Sequence, residues 1–216
     1  MPSPLSLRRR LSRTRLLLLA ARFVSGLFSP LYLTVYAAAL VLTLSHMAYL
    51  PVGFRLMLLG VVWFFAVLLP RALTRISLRF SGLAATARSD KQRRILSFGT
   101  TLMSYAAMAY LFAHLQTPHI IGILPYVAGG VIVSCGIVNV FYKASAYAAG
   151  AGGAVGLLMG LSLVYAFEAS GWICLAVLLC GLVSSARVAL RCHTLGETAA
   201  GAATGFTAAL FCSLWC

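Results

Sequence analysis

The sequence predicts an all-α integral membrane protein with about seven transmembrane helices. Three observations carry this. Hydrophobic residues fill 62% of the 216 positions and only 9% are charged, a balance that suits a lipid solvent. The apolar residues gather in seven runs, each near the roughly 20 residues that cross a hydrocarbon core. All 17 basic residues except Arg55 fall in alternate gaps between those runs, the asymmetry expected of multi-pass membrane proteins.

Residues 1–22 form a basic arm carrying Arg8, Arg9, Arg10, Arg13, Arg15 and Arg22. Its apolar run, Leu16–Ala21, is short, ends at Arg22 and shows no small-residue cleavage site. It reads as a cytoplasmic arm on anionic lipid rather than a signal peptide. Residues 23–216 form the transmembrane domain. The first span, about Phe23–Thr43, is expected to break near Ser29-Pro30, because proline disturbs a helix and restricts the residue before it. The second runs from Gly53 to Pro70. A long basic loop, 71–94, separates it from the third, Ile95–Leu115. Short turns then join Ile120–Phe141, Ala146–Phe167, Trp172–Leu190 and Leu195–Trp215.

The arm, loop 71–94, Lys143, Arg187 and Arg191 share one side of this topology. The positive-inside rule makes that side the cytoplasm and places the C-terminus across the membrane. The net charge of +14 is then accounted for by orientation and lipid headgroups, not by nucleic acid. Six cysteines without a Cys-x-x-Cys pair read as small buried hydrophobes, not as a disulfide framework or a metal site. Two glycine ladders, Gly152/Gly156/Gly160 in span five and Gly201/Gly205 in span seven, predict close approach of those helices.

One boundary concentrates the rare charges. Arg187, Arg191, His193 and Glu197 lie between spans six and seven. Charged groups at a membrane boundary mark a functional site by default. On a helix starting near His193, Glu197 sits one turn on and faces the imidazole. A carboxylate there fixes the imidazole tautomer. Arg187, about a turn before the break, offers a bidentate fork to phosphate or carboxylate. Pairing of His193 with Glu197 for capping or solubility alone is the competing account.

Arg187, five residues, His193, three residues, Glu197 resembles the third motif of the type 2 phosphatidic acid phosphatase (PAP2) superfamily, in which Ser-Arg, five residues, His, three residues, Asp is usual. Here Ala186 replaces the Ser and Glu197 the Asp. The resemblance implies that His193 attacks phosphorus, Glu197 orients it and Arg187 clamps phosphate. The family's second motif, Pro-Ser-Gly-His, aligns with Ala144, Ser145, Ala146 and Tyr147. Ser145 keeps a hydroxyl and an N–H for a phosphate oxygen at a helix N-terminus, while Tyr147 occupies the position of the general acid. The run Lys143-Ala-Ser145-Ala-Tyr147 through Gly150, Gly152 and Gly153 also resembles a divergent bacterial set with Lys-x-Ser-x-His-x-x-Gly-x-Gly-Gly. The first motif, Lys, six residues, Arg-Pro, is degenerate. Arg88 with Arg94 falls one residue short and lacks the Pro, Lys91 with Arg94 is the second choice, and Lys143 offers a substitute cation.

The resemblance covers residues 88–205 and implies a PAP2-like helical bundle in a bacterial plasma membrane. It implies a metal-independent lipid phosphatase without cofactor, acting on a phosphate or diphosphate lipid through a phosphohistidine. A protein that binds lipid phosphate without turning it over, or serves as a lipid-handling or assembly partner, is the second reading. An unrelated transporter is disfavoured, because the spans are expected to carry almost no buried polar residues besides Asn139. Because a tyrosine near pKa 10 is a poorer acid than a histidine near 6.5, Tyr147 leads to an expected preference for a lipid diphosphate, whose leaving group is itself a phosphate.

Overall fold

The computed structural model describes residues 18–80, 90–166 and 168–215. Among these residues the chain is helical throughout, without strands. Six helices are long and apolar enough to cross a membrane, and a seventh crossing is formed if a bent pair counts as one span.

The bent pair coincides with the expected first span. Helix α1, Leu18–Leu27, meets α2, Pro30–Leu44, at 59°. Ser29 is extended (φ −62°, ψ 144°) with Pro30 opening the next helix, so the break falls where proline demands it. Helix α1 begins inside the segment expected to be a basic arm, so the arm's described end is helical from Leu18.

The second span is longer than expected. Helix α3, Val52–Trp63, passes through a π-helical turn at Phe64–Leu68 into α4, Leu69–Phe80. Pro70 cannot donate a backbone hydrogen bond, and the widened turn just before it absorbs the ring without ending the helix. Arg71, Arg75 and Arg79 follow at four-residue spacing, one face of a continuing helix rather than a loop. Arg71 Nη1 donates to the Tyr32 hydroxyl at 2.9 Å and its guanidinium lies over that ring. The segment expected as loop 71–94 is therefore helical at both ends, since α5, Asp90–His114, begins before the third span.

Helices α6, His119–Phe141, α7, Ala146–Tyr165, α8, Ser170–Ala189, and α9, Leu195–Trp215, follow. Helix α7 is central, with 61% of its most apolar window buried, and α8 is peripheral, with 11%. The main core joins α2, α3, α5, α6 and α7 through residues such as Val41, Val62, Met108, Ile121 and Leu161.

Helices α7 and α9 make the closest contact. A Cβ on Gly152 would collide with the carbonyl of Ala202, and one on Gly205 with the carbonyl of Ala149. Only glycine permits backbone to approach backbone here, and van der Waals packing at such faces holds membrane helices together. Cysteine burial differs from expectation. None of the five described cysteines is in a disulfide, and among them only Cys135 is buried, while Cys174 and Cys192 are exposed. The interior also holds more polar side chains than Asn139. Thr101, Ser104, Ser145, Thr198 and Ser213 are buried, and most of these hydroxyls donate to a carbonyl three or four residues back on their own helix. That self-satisfaction makes them compatible with an apolar bundle.

Candidate functional site

The α8–α9 turn is built by local backbone rules. Arg191 adopts a left-handed conformation (φ 52°) directly after α8. Its N–H donates to Val188 O at 2.9 Å and that of Cys192 to Arg187 O at 3.2 Å. These are the two bonds of a Schellman ending, with arginine where glycine is usual. The chain thus reverses with Arg187 on the last turn of α8 and His193 at the entry to α9.

A capping box starts α9. Thr194 Oγ1 accepts the Glu197 N–H at 3.3 Å, and Glu197 Oε2 accepts the Thr194 N–H at 3.2 Å. The same Oε2 lies 2.8 Å from His193 Nδ1. A carboxylate only accepts, so Nδ1 carries the hydrogen and Nε2 is left with the lone pair. The His193 side chain is 7% exposed and that of Glu197 16%. Burial is the main cause that holds the His193 pKa below its ordinary 6.5. The Glu197 hydrogen bond opposes that shift, while the positive charges of Arg187 and Lys143 reinforce it. The imidazole is therefore neutral at physiological pH, with a directed lone pair.

The start of α7 reaches the start of α9 through the backbone. Ser145 caps α7, its Oγ accepting the Ala148 N–H at 3.5 Å. Its own N–H donates to Glu197 O at 3.2 Å. Ser145 is fully buried, and Gly201 passes so close that a Cβ there would stand 2.6 Å from Ser145 O. The N–H expected to hold phosphate is thus committed to Glu197. Ser145 joins the two motifs in this geometry.

Tyr147 lies in the first turn of α7. The Arg187 guanidinium stacks on its ring, 4.3 Å from Cζ to centroid. Arg187 Nη1 donates to Ser25 Oγ of α1 at 3.3 Å, and Nε is buried with no hydrogen-bond partner. A buried, unpaired guanidinium N–H is costly unless an acceptor arrives, and it is a direct invitation to an anion. Lys143 is exposed beside the pair. Arg187, Tyr147 and His193 also share the wall of a cavity of about 400 Å³ inside the bundle.

Of the first-motif candidates, Arg88 lies outside the described residues. Lys91 and Arg94 are placed by backbone on the opening turns of α5. Sequence reasoning missed Thr194, although Thr-x-x-Glu is a readable capping signal. It also missed Ser25, which nothing local marks, because its contact with Arg187 spans 162 positions.

Comparison with family models, with curated proteins and with solved structures finds no match.

Proposed function

We propose that this multi-pass membrane protein is a lipid phosphohydrolase of PAP2 type, acting on a phosphorylated or diphosphorylated lipid. The observation that carries the reading is the part-buried His193–Glu197 pair on the same cavity wall as Arg187, whose Nε has no hydrogen-bond partner. In the reaction, the His193 Nε2 lone pair forms a bond to phosphorus while the bond to the leaving oxygen breaks and its electron pair departs with that oxygen. Glu197 accepts the Nδ1 hydrogen bond and stabilises the imidazolium character that develops. Arg187 turns its Nε edge to the phosphoryl oxygens, with Lys143 and a cation of α5, Lys91 or Arg94, or else Arg88, adding charge. Water then attacks the phosphohistidine, releasing inorganic phosphate and neutral His193.

Tyr147 decides the leaving group. A general acid contributes about 10² to 10⁴-fold and works best with a pKa near the working pH. The ring of Tyr147 supports Arg187, and a phenol is a weaker acid than the imidazolium that the family uses at this position, so it is poorly suited to protonate a lipid alkoxide. A phosphate leaving group, with a second pKa near 6, needs no such acid. Purified protein tested on a panel of lipid phosphates is expected to favour diphosphates over monoesters. Tyr147→Phe keeps the platform and should retain diphosphate turnover, Tyr147→Leu should raise KM through Arg187, and Tyr147→His should raise monoester turnover selectively. Phosphatidic acid hydrolysed as fast as a diphosphate by the wild type would overturn this assignment.

A second reading, binding without turnover, is favoured by the same Tyr147 contact, which occupies the place of the acid with a support for Arg187. Lipid phosphate that binds, resists hydrolysis and is released in Arg187→Ala would select it. Both readings place the site on the cytoplasmic face of a bacterial plasma membrane, with the N-terminus inside. Single-cysteine labelling in intact cells should find position 143 protected from impermeant reagent and position 168 reactive, and the reverse pattern would invert the topology.

A further inference from the structure

Arg187 is held from two sides, and the two contacts fix different things. The Tyr147 ring stacks on the guanidinium at 4.3 Å. A ring contact of this kind sets the plane of the guanidinium but leaves it free to turn within that plane. Ser25 Oγ accepts from Nη1 at 3.3 Å, and a directional hydrogen bond removes that turn. Nη1 is the nitrogen on the Cδ side of the group, so Nε and Nη2 form the other edge. That edge is a side-on fork for two oxygens of one phosphate, and its Nε is buried without a hydrogen-bond partner.

The chain is shaped to deliver Ser25 there. Ser25 is buried one turn after Ala21, the other buried residue of α1, while Leu19, Phe23 and Leu27 are exposed. The 59° bend turns α1 off the α2 axis. Val24 and Phe28 pack against Leu33, Ala151 and Val183, one residue each of α2, α7 and α8, and Tyr147 packs against the same cluster. Elsewhere a buried hydroxyl serves its own helix: Thr101, Ser104 and Thr198 each donate to a carbonyl three or four residues back. Ser25 instead accepts from a side chain 162 positions away.

We propose that Ser25 is a positioning residue for Arg187, which makes α1 part of the phosphate site. Tyr147 fixes the plane of the guanidinium, Ser25 fixes its rotation, and the Nε edge is presented to a phosphoryl group in the cavity shared with His193. A long side chain loses rotamer freedom when it is ordered. Ordering it before the anion arrives removes that cost from binding. The consequence for phosphate capture rests on the phosphohydrolase reading of the site.

The test uses full-length protein in nanodiscs and two probes with the same farnesyl chain. Farnesyl phosphonate has carbon in place of the leaving oxygen, so it reports binding alone. Farnesyl diphosphate reports turnover. Ser25→Ala removes one oxygen and should weaken phosphonate binding about tenfold, the size of effect that one hydrogen bond to a charged group has. In turnover it should raise KM by a similar factor and leave kcat within about twofold, because the cation itself remains. Ser25→Ala combined with Arg187→Ala should bind no worse than Arg187→Ala alone, since Ser25 acts only through that guanidinium. Undiminished binding in Ser25→Ala, a lowered kcat with KM unchanged, or a loss that adds to that of Arg187→Ala would overturn the role of Ser25. Phosphonate binding that follows the expected pattern, with no hydrolysis of the diphosphate, keeps Ser25 in place and removes only the phosphohydrolase reading. Hydrolysis that needs His193 and Arg187 but ignores Ser25→Ala does the reverse. A wild type that neither binds the phosphonate nor hydrolyses the diphosphate overturns both.

Discussion

His193→Ala is expected to reduce the proposed phosphohydrolase activity to background while the protein remains folded. Deleting the nucleophile of a serine protease costs on the order of 10⁶-fold, and alanine removes the Nε2 lone pair outright. Folding should survive because the capping box holds without the imidazole: Thr194 and Glu197 bond each other directly. Glu197→Gln should be milder in rate, since an amide oxygen still accepts the Nδ1 hydrogen, but it removes the charge that favours imidazolium. The pH profile separates these roles. Burial first, then Arg187 and Lys143, lower the His193 pKa, and Glu197 raises it. The acid limb of wild-type kcat/KM should therefore lie below the ordinary value of about 6.5. It should move lower in Glu197→Gln and higher in Arg187→Ala, which removes a cation. Full activity in a folded His193→Ala protein, or an acid limb that ignores both neighbours, would exclude His193 as the attacking group.

The parts legible in the sequence were those set by local pattern. Apolar runs gave the spans because lipid tolerates little else, and Ser29-Pro30 marked the bend because proline acts on its immediate neighbours. The Arg187, His193 and Glu197 spacing was readable because a helix turn converts three intervening residues into a shared face. The second helix outruns the apolar run that ends at Pro70. A π-helical turn, which composition does not signal, carries the helix past it to Phe80. The polar interior was underestimated for a related reason. Thr101 and Ser104 bond back to their own helix, so their burial requires no partner that a sequence would reveal. What lay beyond local pattern was long-range: Ser25 against Arg187, Tyr147 beneath the same guanidinium, and the Ser145 N–H on the Glu197 carbonyl. The glycine ladders implied that last contact in outline, since they specify which helices approach, but they do not specify which backbone groups meet.

Gly205→Val should be the most damaging single change away from the charged residues. At Gly205 an added Cβ meets the Ala149 carbonyl, and Gly152, on the facing helix, would meet the Ala202 carbonyl. These obstacles are backbone, so the helices must separate; a side chain cannot simply turn aside. Overpacking typically costs about 1–3 kcal/mol, and a β-branched residue between two backbones belongs at the upper end. Separation of α7 from α9 acts on the site as well, because the Ser145 N–H reaches Glu197 O across that interface. The thermal midpoint in detergent should fall by several degrees, and activity should fall more than stability, with Glu197 moved relative to Ser145. Gly181→Ala is the control. It lies within α8, with no atom within 4 Å of an added Cβ, and glycine inside a helix is destabilising by roughly 0.5–1 kcal/mol relative to alanine. It should therefore leave the midpoint unchanged or slightly raised. Gly205→Val that melts with the wild type and retains full activity would mean that the α7–α9 contact is not what joins Ser145 to Glu197.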